Sequence, residues 1–210
     1  MKNKKGIFFI CTGLLLISAA LFITVNNFAE NYTTSQGMQQ ILVQLEETIY
    51  EEQSQGDEHN KEQEEVMQQV IPDYMLNPNM DMPTKCIDGR DYIGTLEIPE
   101  LGLELPVLGE WNYENLKIAP CCYAGSAYTQ DFVIAAHNYS SHFLGINKLK
   151  TEEQIIFTDI DGNKFVYQVV LKEVLEESAV EEVISGGFDI TLFTCTYDGK
   201  NRVVIRGALL

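Results

Sequence analysis

The hydrophobic positions change their rhythm twice along the chain. Residues Gly6–Val25, GIFFICTGLLLISAALFITV, form a run of twenty residues without a charge. At about 1.5 Å of rise per residue this run matches a hydrocarbon core of roughly 30 Å and predicts a transmembrane helix. From Met38 the apolar residues fall at Met38, Ile41, Leu42, Leu45 and Ile49, the spacing of one helical face. Glu51–Glu65, EEQSQGDEHNKEQEE, has no apolar position and reads as a solvated linker or frayed helix. Helical spacing resumes at Val66, Val70 and Ile71, and Pro72 stops it.

From Tyr92 the period shortens to two. Ile93, Leu96 and Ile98 precede a turn near Pro99–Gly102, and Leu103, Leu105 and Val107 alternate after it. NYENLKIAP suggests a turn or two of helix, and DFVIAAH reads as a buried strand ending in His137. Asp161–Gly162 supplies a hairpin turn, followed by alternation at Phe165, Tyr167, Val169 and Leu171. FDITLFT and RVVIRGAL close the chain as two more strands. Seven or eight strands with only short helical pieces predict an all-β sandwich or a closed barrel. Three segments follow: a tip and membrane anchor at 1–26, an acidic, partly helical stalk at 27–91, and a β domain at 92–210.

Charge refines this picture. Lys2, Lys4 and Lys5 precede the apolar run and no basic residue closely follows it, which places the N-terminus in the cytoplasm and everything after Asn26 outside. A cleaved signal peptide is the rival reading, but its apolar region is usually about 7–15 residues and the small-residue triplet Ser18–Ala20 lies inside the run. Cys11 follows bulky Phe8, Phe9 and Ile10, which is unlike a lipoprotein site. The formal charge of −17 argues against nucleic acid as a partner. Cys86, Cys121, Cys122 and Cys195 show neither a disulfide framework nor a metal-binding pair, and are expected to be mostly free, with Cys86 the main exception.

The chemistry-bearing residues gather near strand ends. Cys195 closes a strand, and a thiol needs a nearby cation or base to act as a nucleophile. His137 closes another, with His142 in the loop NYSSHF as its only competitor, since His59 lies in the acidic stalk. Arg202 lies seven residues after Cys195, so a turn at YDGKN brings the two to one edge of a paired ribbon. A guanidinium stays protonated and supplies fixed donors to a developing oxyanion. Arg206, four residues on, reads as a surface arginine on the same strand face. Asp198 is expected to make the turn rather than pair with Arg202. Thr194 and Ser126 are candidates to hydrogen-bond a substrate. Cys121–Cys122 is read mainly as packing, with a redox-active pair as the alternative.

TLFTC at Thr191–Cys195, the arginine soon after it, and AAHN at a strand end 58 residues before the cysteine resemble the sortases, membrane-anchored cysteine transpeptidases of Gram-positive bacteria. FTDIDGNKFVYQV is similar to the family's central hairpin, and the resemblance covers about Tyr92–Leu210. It implies an all-β, closed eight-stranded sortase-like barrel behind the N-terminal transmembrane helix and stalk. It also implies Cys195 as nucleophile, His137 as general acid/base and Arg202 as stabiliser of the transition state and substrate. The implied substrates are secreted proteins bearing an LPxTG-like sorting signal, cleaved between Thr and Gly through a thioacyl-enzyme. The implied acceptor is an amine of a peptidoglycan precursor or a pilin lysine, and membrane lipid is met through Gly6–Val25.

The chain departs from the family pattern in places. Ala136 stands where glycine is common, and NPNMDMP only faintly echoes a lid; with the sequence ending at Leu210, the second membrane helix usual in pilin-polymerising members is not expected, which makes that role the less expected one. The subclass, whether housekeeping anchoring or pilin assembly, stays open. The rival functions are a thiol peptidase that mainly hydrolyses and a non-catalytic, membrane-tethered peptide-binding barrel. A zinc site from Cys121, Cys122 and His137 has the wrong spacing for common patterns. No cofactor is indicated. The acidic residues Glu152, Glu153, Glu176, Glu177, Glu181 and Glu182 are the place for a calcium ion, though a solvated face is the simpler expectation. The loops near Ser140–Gly145 and Glu176–Gly187 are expected to shape the pocket.

Overall fold

The computed structural model describes residues 4–59 and 71–210. Its first element is one unbroken helix, α1 (Lys4–His59). The apolar anchor and the helical face that begins at Met38 are therefore one rod, where the sequence had suggested separate pieces. The stretch Phe8–Asn26 is long and apolar enough to cross a membrane. The acidic run stays helical as far as His59. The helix expected to resume at Val66–Val70 lies outside the described residues.

The remaining elements are α2 (Asp73–Leu76), β1 (Lys85–Ile87), β2 (Arg90–Ile98), β3 (Leu103–Leu108), α3 (Tyr113–Leu116), β4 (Cys121–Ala124), β5 (Phe132–Ala135), β6 (Gln154–Asp159), β7 (Lys164–Glu176), α4 (Val180–Ile184), β8 (Ile190–Cys195) and β9 (Asn201–Leu209). The sheet runs β1-β2-β3-β4-β5-β8-β9-β7-β6, and β2 pairs with β6 as well. That last pairing closes β2 to β9 into an eight-stranded barrel and decides between the sandwich and barrel readings. β1 is a short hairpin arm outside the ring. Its turn, Asp88–Gly89, has φ of 51° and 74°, the left-handed conformation that Asp-Gly pairs tolerate.

Closure depends on Gly94. Its φ is 150°, and a Cβ there would lie 2.0 Å from the Thr158 carbonyl oxygen on β6, so no larger residue fits the seam. Inside the ring, Leu96, Phe132, Ile134, Phe157, Tyr167 and Leu192 are fully buried. Outside it, Met38, Ile41, Leu42 and Leu45 of α1 are buried against β2 and β3. The helical stripe read from the sequence is thus a docking face, and Met38–Leu45, within the stretch expected to be a stalk, lies against the barrel wall.

Candidate active site

Four neighbouring strand ends build the site. β5 and β8 run parallel, with Ala135 beside Phe193, and the Ala136 N–H donates to Phe193 O at 3.1 Å. One residue further on, His137 leaves β5 at the level where β8 ends in Cys195. On the other side of β8, Cys195 is the direct antiparallel partner of Arg202 on β9. Directly paired residues present their side chains on one face of a sheet. The Thr196–Lys200 turn between them is closed by Thr196 N–H to Asn201 O at 2.9 Å and by Gly199 at φ 74°. Asp198 belongs to this turn: it accepts from the Thr196 hydroxyl at 2.6 Å, and that bond holds its carboxyl below the usual range.

His137, Cys195 and Arg202 line one groove of about 270 Å³. Its walls are Trp111, Tyr113, Leu116, Tyr123 and Phe193, with Val180 and Val183 from the α4 segment opposite. The aromatics lock one another edge to face, Trp111 on Tyr123 at 5.3 Å and Tyr123 on Phe193 at 5.1 Å. α3, capped by the Asn112 side chain accepting from Asn115 N–H at 2.8 Å, holds Leu116 and Lys117 beside the histidine. Burial, and secondarily the Lys117 ammonium, push the His137 pKa below its ordinary value. Tyr139 stacks on its ring at 4.6 Å. The Arg202 guanidinium donates to Glu177 Oε1 at 2.9 Å.

The other candidates separate. Thr194 lines the groove with its hydroxyl buried, and no hydrogen-bond partner meets that hydroxyl among the described residues. Ser126 is not brought there. It sits in a different groove beside Met80 and Asp81, and its hydroxyl is hydrogen-bonded to Thr129 at 2.8 Å. His142 is fully buried, and burial with His137 nearby pushes its pKa down to about 4. Arg206 is not a surface residue: it is 2% exposed and tied into the α4 segment. All five cysteines are free, Cys86 included. Burial raises Cys121 to about 12 and Cys122 to about 11, and each thiol points to a backbone carbonyl, so both pack rather than react. Among the described residues no three His, Cys, Asp or Glu side chains converge as a metal set would.

Of the two loops expected to shape the pocket, only the one after β7 contributes side chains. In the other, His142 and Phe143 turn into the core. Trp111 and Tyr123 were not singled out as site residues, and Glu177 was named only among the acidic residues that could hold a cation and within the loop expected to shape the pocket. For the two aromatics the lone tryptophan was the one sequence signal, because their convergence depends on strand order.

A cysteine, a histidine and an arginine thus meet on adjoining strand ends of a closed barrel. The family model for the sortase domain matches residues 96–210, and the chain belongs to the sortase family. A curated relative, sortase A of Bacillus anthracis, is 30% identical over 138 residues, covering 59% of this chain and 62% of the relative. The chain thus matches less than two thirds of that relative's length. Among solved structures, sortase C of Streptococcus pneumoniae superposes with a TM-score of 0.57 at 20% identity, covering 81% of this chain and 96% of that one. Sortase C1 of Streptococcus agalactiae gives 0.53 at 21%, covering 69% and 79%. At these identities the structural likeness speaks to the fold.

Proposed function

We propose that this protein is a cysteine transpeptidase in which Cys195 is the nucleophile, His137 the general acid and base, and Arg202 the oxyanion donor. The observation that carries the reading is the direct pairing of Cys195 with Arg202, with His137 leaving the adjoining strand at the same groove. His137 takes the proton of the Cys195 thiol, the thiolate attacks the threonine carbonyl of an LPxTG-like sorting signal, and Arg202 steadies the oxyanion. As the tetrahedral adduct collapses, the Thr–Gly bond breaks and protonated His137 delivers its proton to the departing glycine amine. A thioester remains on Cys195. An amine of a peptidoglycan precursor or a pilin lysine then attacks it, His137 takes the amine's proton, and a new amide forms as the thiolate leaves. The apolar walls of the groove suit the aliphatic part of such a signal.

The catalytic unit in this reading is 92–210, with 1–26 as tip and anchor and 27–91 as the connecting segment. Phe8–Asn26 crosses the membrane with the lysines inside, so the barrel faces the exterior. The test uses the full chain in detergent micelles, a library of sorting-signal peptides and excess amine. Mass spectrometry is expected to show cleavage between Thr and Gly, a thioester on Cys195 and an amine-exchanged product, all lost in Cys195→Ala. Absence of any acyl-enzyme, with Cys195 inert to an alkylator, overturns the reading.

A further inference from the structure

Glu177 shares the groove with Cys195, yet the thiol chemistry above leaves it without a task. It stands just past the end of β7, two residues beyond Leu175. Leu175 is paired with Arg202, which is paired on its other side with Cys195. Positions two apart fall on one face of a strand, so Cys195, Arg202 and Glu177 follow one another across three adjoining strand ends.

The donors of Arg202 can be accounted for one by one. A guanidinium has five N–H groups in a fixed fork. Nη1 donates to the carbonyls of Gly199 at 3.3 Å and Asn201 at 3.1 Å, both in its own turn. Nη2 donates once to Glu177 Oε1 at 2.9 Å. The second Nη2–H and the Nε–H are spent on none of these. The Glu177 side chain is 69% exposed, so the ion pair adds little to stability. Its effect is geometric: one carboxylate oxygen and two turn carbonyls fix the plane of the fork.

We propose that Glu177 is a positioning residue for Arg202, holding one edge of the guanidinium so that its unspent N–H groups meet the oxyanion formed at Cys195. The inference rests on the thiol-transfer reading and extends it to the segment after β7. The buried side chain of Arg206 secures the middle of that segment through Val183 O at 2.7 Å and Glu182 O at 2.6 Å. Arg202 and Arg206 thus grip one loop at two points, and only the Glu177 contact is open to solvent.

The chain has three arginines, Arg90, Arg202 and Arg206, so arginine-selective 15N labelling of the full chain in micelles gives a short spectrum. The Nε–H of Arg202 is expected to be rigid on the picosecond–nanosecond scale in the native protein and mobile in Glu177→Ala, with Arg206 unchanged as a control for folding. Acyl-enzyme formation in Glu177→Ala is expected to fall through kcat by about 10- to 100-fold with KM within about twofold, the mark of a contact used in the transition state. Glu177→Gln, which keeps the acceptor oxygen, recovers most of both signals. In an Arg202→Ala background, Glu177→Ala adds no further loss. Equal ordering of Arg202 with and without Glu177, or a full loss from Glu177→Ala in the Arg202→Ala background, overturns the positioning role. A native chain that forms no acyl-enzyme on any peptide overturns the transferase reading and the catalytic purpose of the pair with it.

Discussion

His137 and His142 lie in one short loop, yet they end in opposite surroundings. The first is half-buried at the mouth of the groove, and the second is fully buried with its ring 6.5 Å from the first. Burial keeps His142 neutral. Its pKa falls from an ordinary 6.5 to about 4, so the unfolded chain takes up this proton first as pH drops. Stability from His142 is therefore complete above pH 6.5 and is lost down to about pH 4, on the order of 3 kcal/mol. His142→Phe keeps an aromatic ring and is expected to abolish this part of the acid dependence, read from urea midpoints at pH 7, 5.5 and 4. At this scale the sequence was informative where chemistry follows strand ends. Cys195, His137 and Arg202 came from spacing and motif. Which of two histidines faces solvent, or whether Ser126 reaches the cysteine, depends on contacts between distant strands that periodicity does not encode.

Among the elements, α4 and its flanking loop depend most on a single side chain. The Arg206 guanidinium donates to Glu173 Oε1 at 2.9 Å, to the Thr191 hydroxyl at 3.0 Å and to two carbonyls at the α4 segment, and it lies over the Phe188 ring at 5.3 Å. Removing it leaves a partly buried carboxylate and two carbonyls without their donor. Arg206→Met is expected to cost about 3–5 kcal/mol, with Tm as the readout. Arg206→Lys recovers only part, because a point charge cannot reach a fork of four acceptors. Alternation over several residues made β2, β3, β7, β8 and β9 legible. β1 has three residues and β4 four, too few for a period to show, and β4 carries the two cysteines that drew attention to chemistry instead of pairing. Arg206 looked like a surface residue for a related reason: on a strand, charge says which residues prefer water, and only the α4 segment folded over β9 removes the water.

For the molecule as a whole, the docking of α1 is the feature that composition hid. The apolar stripe from Met38 to Leu45 was visible, but the barrel wall that receives it was not. The joint contains an electrostatic fault. Burial, and then Glu46 and Glu97, raise the Glu104 pKa, so its charged form is disfavoured in the folded protein. That cost is present above its folded pKa and is relieved as pH falls. Glu104→Gln is expected to slow hydrogen exchange in α1 near Met38–Leu45 at pH 7 and to make little difference below about pH 4, where the native carboxyl is protonated.

The continuity of α1 also sets a distance. From Asn26, where the apolar stretch ends, to Met38, where the barrel is gripped, is about 18 Å of helix. With Phe8–Asn26 in a bilayer, the groove cannot roam on a loose tether; it sits at one altitude above the lipid. Under the proposed function, a substrate held in the same bilayer must bring its own signal to that altitude, so the number of residues between its signal and its membrane segment becomes a ruler, and substrates are sorted by reach as well as by motif.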